Sequence, residues 1–359
     1  MTELDEKAGR LTRLAAEQDL AGIVIASQPG FAWVTGGGTN RIDGSRENGS
    51  GALLVRADGR RFVIANEIEM PRLVDEELAG AGWEPISYPW ADEHARPTLV
   101  KELAAHAAGS VDAKIGTDWA LAGCVTVDAA VARLRAPLTT AEVDRYRGLG
   151  ADAGRALGEV ARGVTPGLTE LEIARRVYDA ALSIAARATV VLVAADDRIS
   201  RFRHPVPTAR AWERTVMLVA CIQRGGLVVA LSRIVSAGLP DRELVSRTES
   251  TVRVFGRLLD ATREGARGRE LFSVAARAYD EAGFAGEERR HHQGGAIGYR
   301  SREWVAHPAS EEVVHARQTF AWNPSITGTK VEDTALLTEN GCELITSSSN
   351  WPTGEILSL

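Results

Sequence analysis

The sequence holds only three cysteines, Cys124, Cys221 and Cys342, and no Cys-x-x-Cys pair. That scarcity excludes a disulfide framework and a thiolate zinc site, and it fits a reducing compartment. No apolar run reaches the roughly 20 residues that span a bilayer. Basic runs are missing too: 42 Lys and Arg are interleaved with 48 Asp and Glu, leaving a net charge of −6. Such a balance gives no electrostatic ground for nucleic-acid or anionic-membrane binding. The opening MTELDEKAGRL is acidic and helical in period, unlike a signal peptide, so a cytoplasmic location is expected. Gly-x-Ser-x-Gly and phosphate-cradling loops are absent, which leaves serine catalysis and nucleotide binding without support. A last absence is local. The stretch VMLVACIQRGGLVVALSRIV, Val216 to Val235, contains no Asp and no Glu.

What is present is a soluble globular composition, 45% apolar and 25% charged. A length of 359 residues suits two domains. Periodicity predicts a helix over Glu3–Gln18, a buried strand over Ala21–Ala26 and a hairpin about Ala57-Asp58-Gly59. Helices over Glu67–Leu78, Lys101–Ala108 and Val125–Leu134 and a strand near Ile115 complete a first α/β domain. Ala136-Pro137-Leu138-Thr139 marks the boundary, giving domains 1–137 and 138–359. Beyond it, Thr139 caps a helix to about Arg162, and Thr169 with Glu172 caps a second over 170–186. A strand over Thr189–Ala194 precedes a hairpin folded about Arg224-Gly225-Gly226. Two helices, about Pro240–Arg263 and Arg269–Ala282, then lead into a strand-rich final third.

Several of these segments match one family in order. TTAEVDRYRGLGADAGRAL with GVTPGLTELEIA resembles the start of the "pita-bread" domain of methionine aminopeptidase, aminopeptidase P, prolidase and creatinase. RHPVPTARAWERTVMLVACIQRGGLVVALSR, HHQGGAIGYRSREW and TFAWNPSITGTKVEDTALLTENGCELIT resemble that domain's later blocks. The first domain, with DLAGIVIASQPGFAWVTGG, is similar to the smaller N-terminal domain of creatinase and prolidase. The resemblance implies an α/β (α+β) fold: a small mixed-sheet domain followed by a pita-bread domain.

Active peptidases of this family hold two divalent metals with two Asp, one His and two Glu, because such cations need many charged oxygens. Counted from Ser232-Arg233, the aspartate positions fall on Val219 and Ala230. The histidine position falls on Gly295 and the first glutamate position on Asn323. Glu332 alone keeps its type. The resemblance therefore implies a divergent member with no metal cofactor, since unpaired buried carboxylates would be costly to keep.

His204 lies where creatinase, which needs no metal, carries its catalytic base and acid; a loop histidine bonded to backbone is the alternative. Glu332 either orients His204, binds a cationic substrate group or is neutralised by Arg233. Asn323, His291, Arg302, Arg233, and Arg41 or Arg46 of the glycine-rich loop are the remaining substrate-binding candidates, each with a plain structural reading beside it. His291 and His292 have no third ligand at metal spacing in sequence, so no metal is expected there. Three functions follow from the resemblance: metal-independent hydrolysis of a C–N bond in a small amino-acid, amide or guanidino compound, a metal-free lyase or isomerase, or a non-catalytic binding protein. A small-molecule substrate and a homodimer, with the Arg41–Arg46 loop reaching the neighbouring site, are the expected partners; neither nucleic acid nor membrane is.

Overall fold

The structure is a computed structural model that describes residues 2–347 and 353–358. It divides into two compact units, Met1–Ala136 and Pro137–Leu359. Among the described residues no helix is long and apolar enough to cross a membrane.

The first unit is built on six strands: β1 (Gly22–Ser27), β2 (Asn48–Arg56), β3 (Arg61–Asn66), β4 (Glu84–Tyr88), β5 (Ile115–Thr117) and β6 (Val125–Thr126). They lie in the order β4-β3-β2-β1-β5-β6. The sheet is mixed, with β1–β2 and β2–β3 antiparallel and the outer pairings parallel. Every residue of β1 is buried, as its unbroken apolar run requires of a central strand. Phe31–Thr35, given no element by periodicity, belongs to a helix over Gln28–Thr35. Ser27 starts it by accepting the Gly30 N–H, and Pro29 occupies its first turn, where a missing N–H does no harm. The helix expected over 67–78 is one turn, Met70–Arg72, running into a wider π-type turn over Leu73–Glu77. That expected over 125–134 begins only at Asp128, because Val125–Thr126 pairs with β5.

In the second unit β7 (Arg187–Ala195), β8 (Thr215–Arg224) and β9 (Leu227–Ser236) form an antiparallel meander. The turn between β8 and β9 falls on Gly225 and Gly226, at φ of 55° and 79°. Two positive-φ residues in a row define a two-residue hairpin turn that glycine adopts without steric penalty. A second sheet contains β10 (Gly294–Ile297), β11 (Trp304–Val305), β12 (Thr319–Trp322), β15 (Asp333–Thr338) and β16 (Gly341–Leu344), in the order β11-β10-β12-β15-β16. The short pair β13 (Ser325–Ile326) and β14 (Thr329–Lys330) joins β12 to β15, and β17 (Ile356–Ser358) adds a parallel edge to β9. Helices Thr140–Arg162 and Glu170–Ser183, each started by a complete capping box, pack on β9 and β7. Val254, Phe255 and Leu258 from the helix Arg242–Ala261, and Leu271 from the helix Gly268–Glu281, close over Phe320 and Trp322 of the second sheet. This two-sheet, four-helix arrangement is the pita-bread architecture that the sequence resemblance implies.

Candidate functional site

Strand alternation puts Val219, Cys221, Ala230 and Ser232 on one face of the β8–β9 hairpin, paired directly as Val219 with Ser232 and Cys221 with Ala230. Val219 packs with Met217, Ile234 and Ala194, and Ala230 with Cys221, Val228, Ile297 and Ala321. Burial pushes the Cys221 thiol up to about 12, so it is a protonated core residue. The site face of this hairpin carries no ionised group.

Gly295 lies on β10, between Val305 of β11 and Ala321 of β12. A Cβ at this position would sit 2.2 Å from the Trp304 carbonyl oxygen and 2.9 Å from the Val305 Cα. Backbone on the neighbouring strand therefore occupies the space in which any side chain at 295 would start. Asn323 follows β12, 2% exposed, with its N–H donated to the Gln293 carbonyl and its Oδ1 buried without a protein partner.

Glu332 is 3% exposed and meets two cations. Arg302 Nη2 donates to its Oε1 at 3.1 Å, and Lys330 Nζ stands 3.7 Å from its Oε2. Burial would raise this carboxyl, but the Lys330 and Arg302 charges outweigh it and hold the pKa below the usual range. Lys330 is itself buried; desolvation lowers its pKa, and the Glu332 charge opposes the fall. The Arg233 reading is corrected here. That side chain, 2% exposed, bonds Asp333 and the Thr346 carbonyl, and the arginine on Glu332 is Arg302. Lys330 escaped sequence reasoning, although its place two residues before Glu332 in an extended segment is the signal that puts both on one side.

The histidines arrive on two segments. Pro205 is tied to β7 through its carbonyl, which accepts the Val193 N–H. Arg203 donates to Glu287 and to the Thr327 hydroxyl. His204, held between these anchors, is exposed. On the other segment Gln293 donates to the His291 carbonyl and accepts from the buried Tyr279 hydroxyl, fixing the turn before β10. The result places His204 Nε2 3.1 Å from His291 Nε2. His292 stacks on His291 with ring centroids 4.3 Å apart and lies 5.7 Å from the His204 ring. One nitrogen from each of the three lies within 4.8 Å of the others. The fold thus supplies the third imidazole that spacing in sequence did not reveal.

All three rings are biased toward the neutral form. Burial, then the Lys330 charge, lowers the His204 pKa, with Glu332 opposing. Burial, then Arg302 and Lys330, brings His292 to about 4, and burial pushes His291 down further still. Neutral imidazole accepts a proton or ligates a metal, and both need the free lone pair.

Arg41 and Arg46 lie in the first unit, Arg46 on an exposed loop beside Asp43.

The profile of metallopeptidase family M24 matches residues 144–339. An Xaa-Pro dipeptidase of Pyrococcus furiosus is 24% identical over 62% of this chain and 66% of its own length. An Xaa-Pro dipeptidase of Pyrococcus horikoshii is 25% identical over 52% of this chain and 55% of its own. The alignment thus spans less than two thirds of these relatives. The solved structure of dipeptidase PepE from Mycobacterium ulcerans has a TM-score of 0.81 at 19% identity, covering 99% of this chain and 98% of that one. With the profile spanning more than half of its residues, the chain belongs to metallopeptidase family M24.

Proposed function

We propose that this chain is an M24-family hydrolase that works without the family's dinuclear centre and cleaves a C–N bond in a small amino-acid, amide or guanidino compound. The donor set does not fit two divalent ions. Of the five matched positions, Val219 and Ala230 lie in apolar clusters, Gly295 has no room for a side chain, and Asn323 is neutral. The remaining carboxylate, Glu332, already faces two protein cations. Lys330 and Arg302 supply the positive charge that metal would otherwise bring.

The observation that carries the reading is the His204–His291 contact of 3.1 Å, made by an exposed ring against a buried one. With His204 Nε2–H donating to His291 Nε2, the basic atom is His204 Nδ1. That nitrogen takes a proton from water as the water oxygen bonds to the substrate carbon. The C–N bond then breaks, and the imidazolium returns the proton to the departing nitrogen. Arg302, with 18% of its side chain exposed, receives a substrate carboxylate as a charge-assisted hydrogen-bond donor. Glu332 restrains Arg302 and does not orient His204. A homodimer, with the Arg41–Arg46 loop completing the partner's site, belongs to the same proposal, and the exposure of that loop supports it.

The test is turnover of chelator-treated protein on Xaa-Pro dipeptides, small amides and guanidino acids, read as amine, ammonia or urea release. His204→Ala is expected to lower the rate by about 10²- to 10⁴-fold. Unchanged turnover in His204→Ala, or activity that appears only with added Mn²⁺ or Co²⁺, would overturn the reading. An unsaturated or rearranged product would reassign the same base to elimination or isomerisation.

A further inference from the structure

We infer that His204, His291 and His292 form a site for a single borderline transition-metal ion, of which zinc is the type, distinct from the positions matched to the family's two ions. Zinc binds imidazole nitrogen at about 2.0–2.1 Å, so two ligands of a tetrahedral ion stand about 3.3–3.4 Å apart. The Nε2 atoms of His204 and His291 are 3.1 Å apart, and a nitrogen of His292 completes a set within 4.8 Å. The His204–His291 separation is within a few tenths of an ångström of that value, and turning the His292 ring inward completes one face of a tetrahedron.

Hydrogen bonding points the same way. The Nδ1 atom of His292 is buried with no protein partner, which leaves it available as that ring's ligand atom. Unsatisfied buried polar atoms are costly and rare, and a bound ion supplies His292 Nδ1 with a partner that the protein does not. The segments that carry His291 and His204 are held in place: Gln293 fixes the His291 backbone, while Arg203 and Pro205 anchor the segment of His204.

The chemistry selects the ion. Three neutral nitrogens with no carboxylate suit zinc, copper, nickel or cobalt and not magnesium or calcium. Three protein ligands leave a fourth position open for water or an anion. Lys330 and Arg302, offset by Glu332 alone, oppose a cation but favour an anionic fourth ligand. Occupation removes the His204 lone pair and its bond to His291, so the ion inhibits turnover. That consequence rests on the proposed function; binding itself does not.

The test is titration of the chelator-stripped full chain with Zn²⁺ by calorimetry, with Co²⁺ visible absorption as an independent readout. We expect one equivalent per chain and tetrahedral cobalt bands. His204→Ala and His292→Ala, both at positions outside the fully buried core, are expected to lower affinity by more than about 100-fold, beyond the loss typical of an outer-shell partner. A stoichiometry other than one, or affinities within threefold of the parent in both variants with unchanged circular dichroism, would overturn the site. One equivalent of zinc that raises turnover would uphold the site and overturn the metal-independent function; inhibition with the binding midpoint upholds both.

Discussion

Replacing Glu332 by glutamine leaves Lys330 and Arg302 facing each other across a neutral amide. At an effective dielectric of 20, a unit pair at the 3.1 Å of Arg302 is worth about 5 kcal/mol. The 3.7 Å of Lys330 gives about 4 kcal/mol. Most of that gross attraction offsets the desolvation of groups whose side chains are only 3%, 4% and 18% exposed for Glu332, Lys330 and Arg302. Breaking a buried pair nonetheless typically destabilises by about 3–5 kcal/mol, because the orphaned charge stays buried. The partial exposure of Arg302 puts Glu332→Gln near the lower end, about 3 kcal/mol. For a unit of this size that corresponds to a fall in Tm of about 6–12 °C. Urea unfolding followed by tryptophan fluorescence, with calorimetry for Tm, measures both. Adding Lys330→Met to Glu332→Gln is expected to recover at least about 1 kcal/mol, since the most buried uncompensated charge is then gone. A loss under about 1 kcal/mol in the single variant, or a further loss in the double, would refute the reasoning that protein cations balance this carboxylate.

Two further outcomes follow from the same packing. The Cys221 thiol, raised by burial to about 12, stays protonated in the folded chain while an unfolded thiol ionises above about 8.5. The unfolded state then binds fewer protons, so stability falls as pH rises through that value. Cys221→Ala is expected to lose about 1.4 kcal/mol less than the parent between pH 7.5 and 9.5; equal losses in urea titrations would count against a buried neutral thiol. Gly295→Ala forces a methyl against the Trp304 carbonyl at 2.2 Å and is expected to destabilise by about 3 kcal/mol, at the upper end for overpacking. A neutral effect on the urea midpoint would show that β10 and β11 can part to admit a side chain.

Local chemistry was legible in the sequence. Thr139 and Thr169 each place a capping oxygen and a carboxylate three residues later, and both helices start there. Gly225-Gly226 between apolar runs fixes the hairpin without tertiary help. Phe31–Thr35 was less legible, because its helix depends on one Ser27 hydroxyl and on packing against its own sheet. The site divides in the same way. The lack of acids on the β8–β9 hairpin could be read from twenty consecutive residues. The contact between His204 and His291 could not, since 87 positions separate them and the anchor of Arg203 on Glu287 spans 84. Neighbouring residues give no sign of the partner of Arg302, which the fold turns onto Glu332, 30 positions away. Long-range pairs of this kind are set by loop placement, for which periodicity carries no signal.

Anomalous diffraction from crystals soaked in Mn²⁺, then separately in Zn²⁺, tests most directly whether this M24 chain has given up its dinuclear centre. Manganese is predicted to give no peak within bonding distance of Glu332 or Asn323, and zinc a single peak among His204, His291 and His292. Two manganese peaks about 3.5–4 Å apart beside Glu332, the spacing of a two-metal hydrolase, would contradict it.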